Sequence, residues 1–397
     1  MIYDAVIVGG GACGLMCAVQ AGYLGKKVFV LEKNDKAGAK ILISGGGRCN
    51  YTNLHTGPAN FISQNEHFCT STLAQWTVED TVDFFERNGI VGHEKTLGQL
   101  FPTSNKAKDI VSVFTRLMKE LGQELTLNSE VLAIAKDDDG VFTITYGQHL
   151  HPATIQARTV VMASGGLPIA KMGASDFSLR IARQFGLRVN PTAPALVPLT
   201  ITGKDADWFS DLAGNTVFCR VFNEKISFEE NILFTHWGLS GPAILQISSY
   251  WQPGESITLN LLPHHDIAMI IQAERQQGGK RLLINLLQEH FTRKFAEALG
   301  KYLPNDKKIA SMSKAEAKLV HDTIHNFQVK PAGDKGYEKA EVMRGGVDTE
   351  ELSSKTLEAK KCQGLFFGGE CVDVTGWLGG YNFQWAWASG FVIAQHI

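Results

Sequence analysis

The chain has 397 residues, 44% hydrophobic and 20% charged, with a formal net charge of −2. That balance is ordinary for a globular protein and excludes a disordered chain, and the totals carry no basic footprint for nucleic acid, leaving only a local patch open. The length exceeds one typical domain, so two domains, or a large domain with an insertion, are expected. Seven irregularly spaced cysteines do not resemble a disulfide framework and point to free thiols in a reducing compartment. The apolar N-terminus lacks a basic n-region, and no run is long enough to span a bilayer. A cytoplasmic protein without membrane attachment is expected.

In chain order, the β-branched run Tyr3 to Val8 enters Gly9-Gly10-Gly11-Ala12-Cys13-Gly14, a small-residue helix follows, and Val28 to Leu31 ends on Glu32-Lys33. This reads as strand, turn, helix, strand, with Gly9, Gly11 and Gly14 as the glycines of G-x-G-x-x-G. The first permits the tight turn, the second lets backbone approach a pyrophosphate, and the third lets helix and strand pack closely. The helix N-terminus favours phosphate, and Glu32 is placed to bond a ribose hydroxyl. A lone fingerprint is weak evidence. Here the strand, the helix and the acidic residue agree on a dinucleotide.

Gly38 to Asn53 is too glycine-dense for a regular element and is expected to be a loop folded over a ligand. Arg48 is the only charge within Ser44–Asn50; its guanidinium suits a phosphate or a substrate carboxylate, and a structural ion pair holding the loop is the competing reading. Two amphipathic helices follow. The first runs from Thr77 to Gly89 and buries Val78, Val82 and Phe85; the second carries Ile110, Phe114, Leu117 and Leu121 and stops at Gly122. Leu97 to Pro102 reads as a short strand or hairpin arm. Strands are expected over Val131–Ala135 and Val141–Tyr146 around an Asp-Asp-Asp-Gly turn, and Thr159–Ala163 breaks into Ser164-Gly165-Gly166. Ser178 to Phe185 reads as a helix.

From Pro191 the composition becomes Thr-rich and β-branched with frequent turns to about Pro263. It then becomes helical, with Ser313-Lys314-Ala315-Glu316 as a capping box. Residues 191–330 are therefore read as an inserted domain, β-rich over 191–263 and helical over 264–330, within a nucleotide-binding domain formed by 1–190 and 331–397. Near the end, Gly364 to Phe367 is a strand leading into Gly368-Gly369-Glu370. Gly379-Gly380-Tyr381-Asn382-Phe383 then precedes a helix, expected to start at Asn382 or Phe383, whose N-terminus favours developing negative charge.

The remaining reactive residues read blandly. No Cys-x-x-Cys pair exists, so Cys13, Cys17 and Cys49 are expected to be packing residues. His321 and His325 lie four apart on a helix without the glutamate of H-E-x-x-H, and His264-His265 are expected to be solvated; no metal site is expected. Trp377, Trp385 and Trp387 either line an apolar pocket or form core.

The blocks Gly9–Gly14 with Glu32, Ser44-Gly45-Gly46-Gly47-Arg48-Cys49-Asn50 with Thr52-Asn53, Leu233-Phe234-Thr235-His236 with Gly238-Leu239-Ser240-Gly241-Pro242, and Gly379-Gly380-Tyr381-Asn382-Phe383 occur in that order. Together they resemble the YhiN/BaiN-like flavoproteins, also called the aminoacetone oxidase family. The resemblance implies an α/β, FAD-binding Rossmann-like fold of the two-dinucleotide-binding-domain type, built from both chain ends around a β-barrel-plus-helices insertion on the substrate side. Position by position it implies FAD contacts at Gly9, Gly11, Ala12, Cys13, Gly14, Glu32 and Lys33. It implies further contacts at Lys40, Ser44, Gly45, Gly46 and Gly47, at Val131, at Ser164 and Gly165, and at Gly369, Glu370, Gly380, Tyr381 and Asn382. His236, within the third block, either faces the substrate side of the flavin or structures its loop.

The expected function is an FAD-dependent oxidoreductase moving a hydride between a small organic substrate and non-covalent FAD. NAD(P)H is a candidate transient co-substrate, since no second fingerprint provides a dedicated nicotinamide domain. Arg48, His236 and Tyr381 are the candidate catalytic residues, and no nucleic-acid partner is expected. The alternatives are a tRNA-modifying flavoprotein, which would need a basic face, and a flavin-binding protein without turnover.

Overall fold

The structure is a computed structural model that describes residues 1–148 and 151–397. The chain forms two compact units: unit 1 comprises Met1–Ala193 with Val342–Ile397, and unit 2 comprises Pro194–Glu341.

Unit 1 is built on a sheet that begins with β1 (Ile2–Val8) and β2 (Val28–Leu31), joined by α1 (Ala12–Tyr23). The two strands pair in parallel, Ala5 opposite Val28 and Val8 opposite Leu31. Strand Glu124–Thr126 extends the sheet beyond β2 in parallel. On the other side of β1 lies the long strand His151–Met162. Its first half pairs antiparallel with Phe142–Gln148, and its end, Thr159–Met162, runs parallel to β1. The C-terminal strand Leu365–Phe367 pairs with that same end, so both chain termini meet in one sheet. Ala5, Val6, Ile7, Val28 and Val30 are fully buried, as continuous apolar strands in a parallel sheet must be.

The C-terminal helix Tyr381–Ala394 packs on α1. Both elements use small residues at the contact: a Cβ added to Gly390 would sit 2.4 Å from the Cys13 carbonyl oxygen. The helix starts at Tyr381, ahead of the expected Asn382 or Phe383, because Gly380 takes φ +102° and turns the chain directly into it. Trp385 and Trp387 are core: their indole N–H groups donate to Gly369 O at 3.0 Å and Tyr51 O at 2.8 Å. Trp377 is half-buried.

The helix Val78–Arg87 starts at Thr77 as expected, but it buries Thr81, Phe84 and Phe85, while Val78 and Val82 are only half-buried. Aromatic packing explains the rotation: Phe84 stacks on Phe114 at 5.6 Å, and the Thr81 hydroxyl accepts the Trp76 indole N–H at 2.8 Å. The helix Ala107–Glu120 buries Ile110, Phe114 and Leu117 as its spacing predicts, with Leu121 half-buried just past its end. Gly38–Asn53 is not loop throughout. Ala39–Ile43 is helical, since Ala-Lys-Ile-Leu-Ile favours it, and the helix unwinds at Ser44 (ψ +146°), Gly45 and Gly46.

Unit 2 contains a seven-stranded sheet in the order Phe327–Val329, Ile257–Asn260, Thr216–Phe222, Ser227–Thr235, Gly238–Ser240, Leu199–Thr200 and Gly333–Asp334, all neighbours antiparallel. Thr216–Phe222 alternates exposed and buried residues, the signature of a sheet with one covered face. The β-rich stretch also holds two short helices that sequence patterning misses, Ala206–Asp211 and Pro242–Ser248. Trp208 anchors the first through its indole N–H on Ala298 O at 2.8 Å; Pro242 starts the second. Helices Ile267–Gln276 and Lys314–His325 follow, the latter with its Ser313/Glu316 capping box formed. Strand Gly333–Asp334 pairs with Leu199–Thr200, which keeps the chain after Pro331 in unit 2. Among the described residues no helix is long and apolar enough to cross a membrane.

Candidate functional site

The glycines of the first turn do three different jobs. A Cβ on Gly14 would stand 2.0 Å from Gly9 O, so Gly14 sets the approach of α1 to the strand. Gly9 has φ +109°, and its Cβ would collide with Ala163 O at 2.5 Å and Ser164 Cα at 2.8 Å. Gly11 is unlike both: a Cβ there meets no protein atom within 4 Å. It sits at the N-cap of α1 without a side-chain cap, so the first-turn amides at Ala12, Cys13 and Gly14 have no intrahelical acceptor. Open space beside Gly11 and uncapped N–H groups are what a pyrophosphate requires, and the turn fits a dinucleotide.

Glu32 closes one side of this turn. It is 7% exposed, accepts the Gly10 N–H at 2.7 Å on one oxygen, and accepts the Asn34 backbone and side-chain N–H groups, each at 2.8 Å, on the other. These bonds hold the carboxylate in place, and a carboxylate has lone pairs beyond them. Ser129 N–H donates to Glu32 O at 2.9 Å, which brings the segment leading to buried Val131 alongside. Lys33 is half-buried beside Gly173.

A second group of expected residues converges although they are far apart in the chain. Lys40 Nζ pairs with Glu370 Oε2 at 2.7 Å, and a Cβ on Gly165 (φ +75°) would lie 3.7 Å from that same oxygen. The other Glu370 oxygen accepts Met343 N–H at 3.2 Å. Gly369 lies against Cys13, where an added Cβ would be 3.1 Å from the Cys13 Cβ. Ser164 and Ser178 share a hydroxyl hydrogen bond of 2.6 Å. Lys40, Ser164, Gly165, Gly369 and Glu370 therefore gather beside the fingerprint turn, with Ser164 against Gly9 and Gly369 against Cys13.

The Ser44–Asn50 loop and the start of the C-terminal helix form a third region. Arg48 is half-buried; its Nε donates to Gly45 O at 2.8 Å and its guanidinium lies 5.4 Å from the Phe101 ring centroid. Among the described residues no carboxylate pairs with it, so the ion-pair reading gives way to a carbonyl and an aromatic face. Gly380 faces Thr52 O, which a Cβ would approach to 2.4 Å. Asn382 uses its side chain structurally, accepting Gly376 N–H at 2.8 Å and donating to Gly376 O at 2.8 Å. Its backbone N–H stays in the uncapped first turn. Tyr381 is 6% exposed, with its ring packed against Phe61 and Trp377. Asn50 was expected only as the end of the Ser44–Asn50 loop and not as a cofactor contact, yet among the described residues its buried Oδ1 has no hydrogen-bond partner and lies 2.9 Å from where a Gly380 Cβ would be. The signal for it is visible only as the polar end of the Ser-Gly-Gly-Gly-Arg-Cys-Asn run.

His236 belongs to unit 2 and is exposed in the turn between Ser227–Thr235 and Gly238–Ser240. All seven cysteines are free and buried. Burial pushes the Cys13, Cys49 and Cys371 thiols up to about 12, the opposite of a reactive thiolate.

A Rossmann sheet joined by both chain ends, an uncapped glycine turn and an acidic strand end define a dinucleotide-binding protein, and its family places it among the FAD-dependent oxidoreductases. The chain belongs to the HI0933-like family: its Rossmann domain matches residues 3–396, in keeping with the resemblance to YhiN/BaiN-like flavoproteins. A ribosomal RNA dihydrouridine synthase of Escherichia coli K12 is 44% identical over 398 residues, covering 100% of this chain and 98% of that protein. A protein of the same description from Haemophilus influenzae is 41% identical, covering 99% and 98%. The 3-dehydro-bile acid delta(4,6)-reductase of Clostridium scindens is 26% identical, covering 98% and 97%. Among solved structures, the 3-ketosteroid delta1-dehydrogenase of Sterolibacterium denitrificans with bound 1,4-androstadiene-3,17-dione has a TM-score of 0.52 at 13% identity, covering 100% and 99%. At that identity the likeness concerns the fold.

Proposed function

We propose that this chain reduces a carbon–carbon double bond conjugated to a carbonyl, and that its substrate is a uridine base in ribosomal RNA. The observation that carries this reading is the full-length 44% identity to a ribosomal RNA dihydrouridine synthase. The more distant relative is described as a delta(4,6)-reductase of 3-dehydro-bile acids. Uracil C5=C6 and a steroid double bond in conjugation with a 3-oxo group are alike in that the carbonyl makes the far carbon electrophilic. Saturating either adds one hydride and one proton, and NADH or NADPH supplies the electron pair. The RNA reading replaces the small organic substrate expected from the sequence and takes up its nucleic-acid alternative.

Unit 2 supplies a feature that suits RNA. Residues 275–318 carry ten Lys and Arg against four Asp and Glu. Among the described residues Lys280, Lys294, Lys308 and Lys314 are exposed and take part in no ion pair. Segments 279–283 and 307–310 are joined by Ala310 N–H to Gly279 O and Ile309 N–H to Arg281 O, which puts Lys280 and Lys308 on one patch. Unpaired lysines on a local patch supply phosphate affinity even when net charge is near zero.

In this reading the amides of Gly11, Ala12, Cys13 and Gly14 hold the pyrophosphate of FAD, and Gly9 gives the turn its shape. Glu32 holds the ribose, with Lys33 and Val131 bordering the adenosine half. Lys40, Ser44, Gly45, Gly46, Gly47, Ser164, Gly165, Gly369 and Glu370 border the flavin half with Gly380, Tyr381 and Asn382. Asn382 contributes its backbone only, and Asn50 offers a buried acceptor. FAD bound there supplies hydride-transfer chemistry. Arg48, Tyr381 and His236 are the catalytic candidates, Arg48 as the cation nearest the glycine loop.

The test combines anaerobic mixing of flavin-loaded protein with NADH or NADPH, followed by flavin absorbance, and incubation with unmodified ribosomal RNA, followed by dihydrouridine measurement in the digested nucleosides. Bleaching by one nicotinamide and dihydrouridine formation are expected. Bleaching with turnover of a dienone steroid, and none of RNA, overturns the RNA substrate. A flavin that neither nucleotide bleaches overturns the electron donor.

A further inference from the structure

The helix Lys314–His325 carries His321 and His325 one turn apart, their ring centroids 4.9 Å from each other. The sequence alone leaves this pair without a third ligand. The fold supplies one: Asp266 caps the helix Ile267–Gln276, and one ligand atom each from Asp266, His321 and His325 lie within 4.8 Å of one another. Asp266 Oδ1 is taken by Ala268 N–H at 2.8 Å, which fixes the carboxylate and leaves its other oxygen for another partner.

The hydrogen bonds around the two rings also define where their lone pairs are. Asn260 Oδ1 accepts Leu262 N–H at 3.1 Å, which identifies it as the amide oxygen, and it lies 2.9 Å from His325 Nδ1. An oxygen acceptor requires the proton on Nδ1, so the His325 lone pair is on Nε2, which accepts Ile267 N–H at a long 3.2 Å. His321 Nδ1 lies 3.3 Å from Asp322 Oδ1, again an acceptor, which leaves its Nε2 lone pair as well. Metal-binding imidazoles are typically oriented in this way, donating the second ring N–H to a carbonyl or carboxylate. The cleft is open and lined by Pro263, His264, His265, Asp266, His321 and His325.

We propose that Asp266, His321 and His325 form a site for one divalent first-row transition-metal ion of the zinc or nickel type, with water completing the coordination. Two imidazoles and one carboxylate select such ions over magnesium and calcium, which prefer all-oxygen shells. The site lies wholly in unit 2 and independently of the cofactor residues. A bound ion ties the start of one helix to the end of another and displaces the weak Ile267 contact to His325.

The test uses flavin-loaded, chelator-treated full-length protein in equilibrium dialysis against Zn2+, with bound zinc measured. One zinc per chain is expected, undisturbed by excess Mg2+. The variant His321→Ala/His325→Ala should lose it, Asn260→Ala should weaken binding about tenfold, and His264→Ala/His265→Ala should retain it. Flavin content and circular dichroism report folding, and His321→Gln replaces the double variant if that one does not fold. Absence of zinc from the unaltered protein, equal zinc in the His321/His325 variants, or zinc lost with His264 and His265 instead would overturn the site.

Discussion

Gly11 and Gly14 differ in the space around them, which separates a proposed cofactor contact from a packing requirement at the level of single residues. Gly11 has open space where a side chain would project, whereas a Cβ at Gly14 would stand 2.0 Å from a carbonyl oxygen. Gly11→Val should therefore fold normally by circular dichroism and emerge colourless after purification; a full flavin complement would refute the fingerprint assignment. Gly14→Ala should instead destabilise the protein by about 2 kcal/mol or more through overpacking, read as a lowered denaturation midpoint with flavin present. Arg48 poses a different question, since its Nε braces the Gly45 carbonyl. Arg48→Ala should lower FAD or substrate affinity while the melting temperature of flavin-saturated protein stays nearly constant. A large melting loss at saturating flavin would make Arg48 a brace for the loop only.

At the scale of elements, the helix Val78–Arg87 shows how a local signal and a tertiary contact divide the work. Thr77 Oγ1 accepts Asp80 N–H at 3.2 Å, and Asp80 returns the bond to Thr77 N–H at 2.8 Å. Thr77→Ala should cost about 1 kcal/mol, measurable by urea denaturation, with flavin binding intact. The Glu351 carboxylate marks another junction, bonded to Lys361 at 2.8 Å and Arg188 at 3.2 Å while 4% exposed itself. The Lys361 hydrogen bond, with the charges of Lys361 and Arg188, holds its pKa below the usual carboxylate range. A depressed native pKa means the stabilisation is fully present above the unfolded value and is lost as pH falls through the native one. Glu351→Gln should lower stability by about 1 kcal/mol at pH 7, a modest figure because Arg188 and Lys361 remain largely in water. The gap should close below about pH 4, and a pH-independent gap would count against the ion pair as its source.

For the whole molecule, the two units carry different chemistry. Unit 1 brings the residues proposed to hold the cofactor, from both chain ends, to one mixed sheet, and unit 2 holds an antiparallel sheet, helices and a local excess of lysine. If the lysine patch serves RNA, Lys280→Ala/Lys308→Ala should weaken ribosomal RNA binding and flatten its salt dependence by about two units of slope. Flavin reduction by nicotinamide should be unaffected. An unchanged salt dependence would place the RNA contact elsewhere.

Local signals in the sequence were enough for the elements whose determinants are neighbours in the chain. The βαβ unit around Gly9–Gly14, the Thr77 and Ser313 caps, and the turn between Val131–Lys136 and Phe142–Gln148 depend on residues a few positions apart, where backbone geometry and periodicity act directly. The family blocks extended that reach to the cofactor. Tertiary structure decided what depends on packing between distant segments. It rotated the Val78–Arg87 helix toward Thr81 and Phe84, hid Trp385 and Trp387 in the core, and placed helices inside a stretch patterned like strands. It also paired Lys40 with Glu370, left Asn50 Oδ1 buried without a hydrogen-bond partner among the described residues, and set Asp266 beside His321 and His325. Each of these outcomes joins side chains whose proximity is created only when the sheet and helices assemble, so no spacing along the chain could encode it.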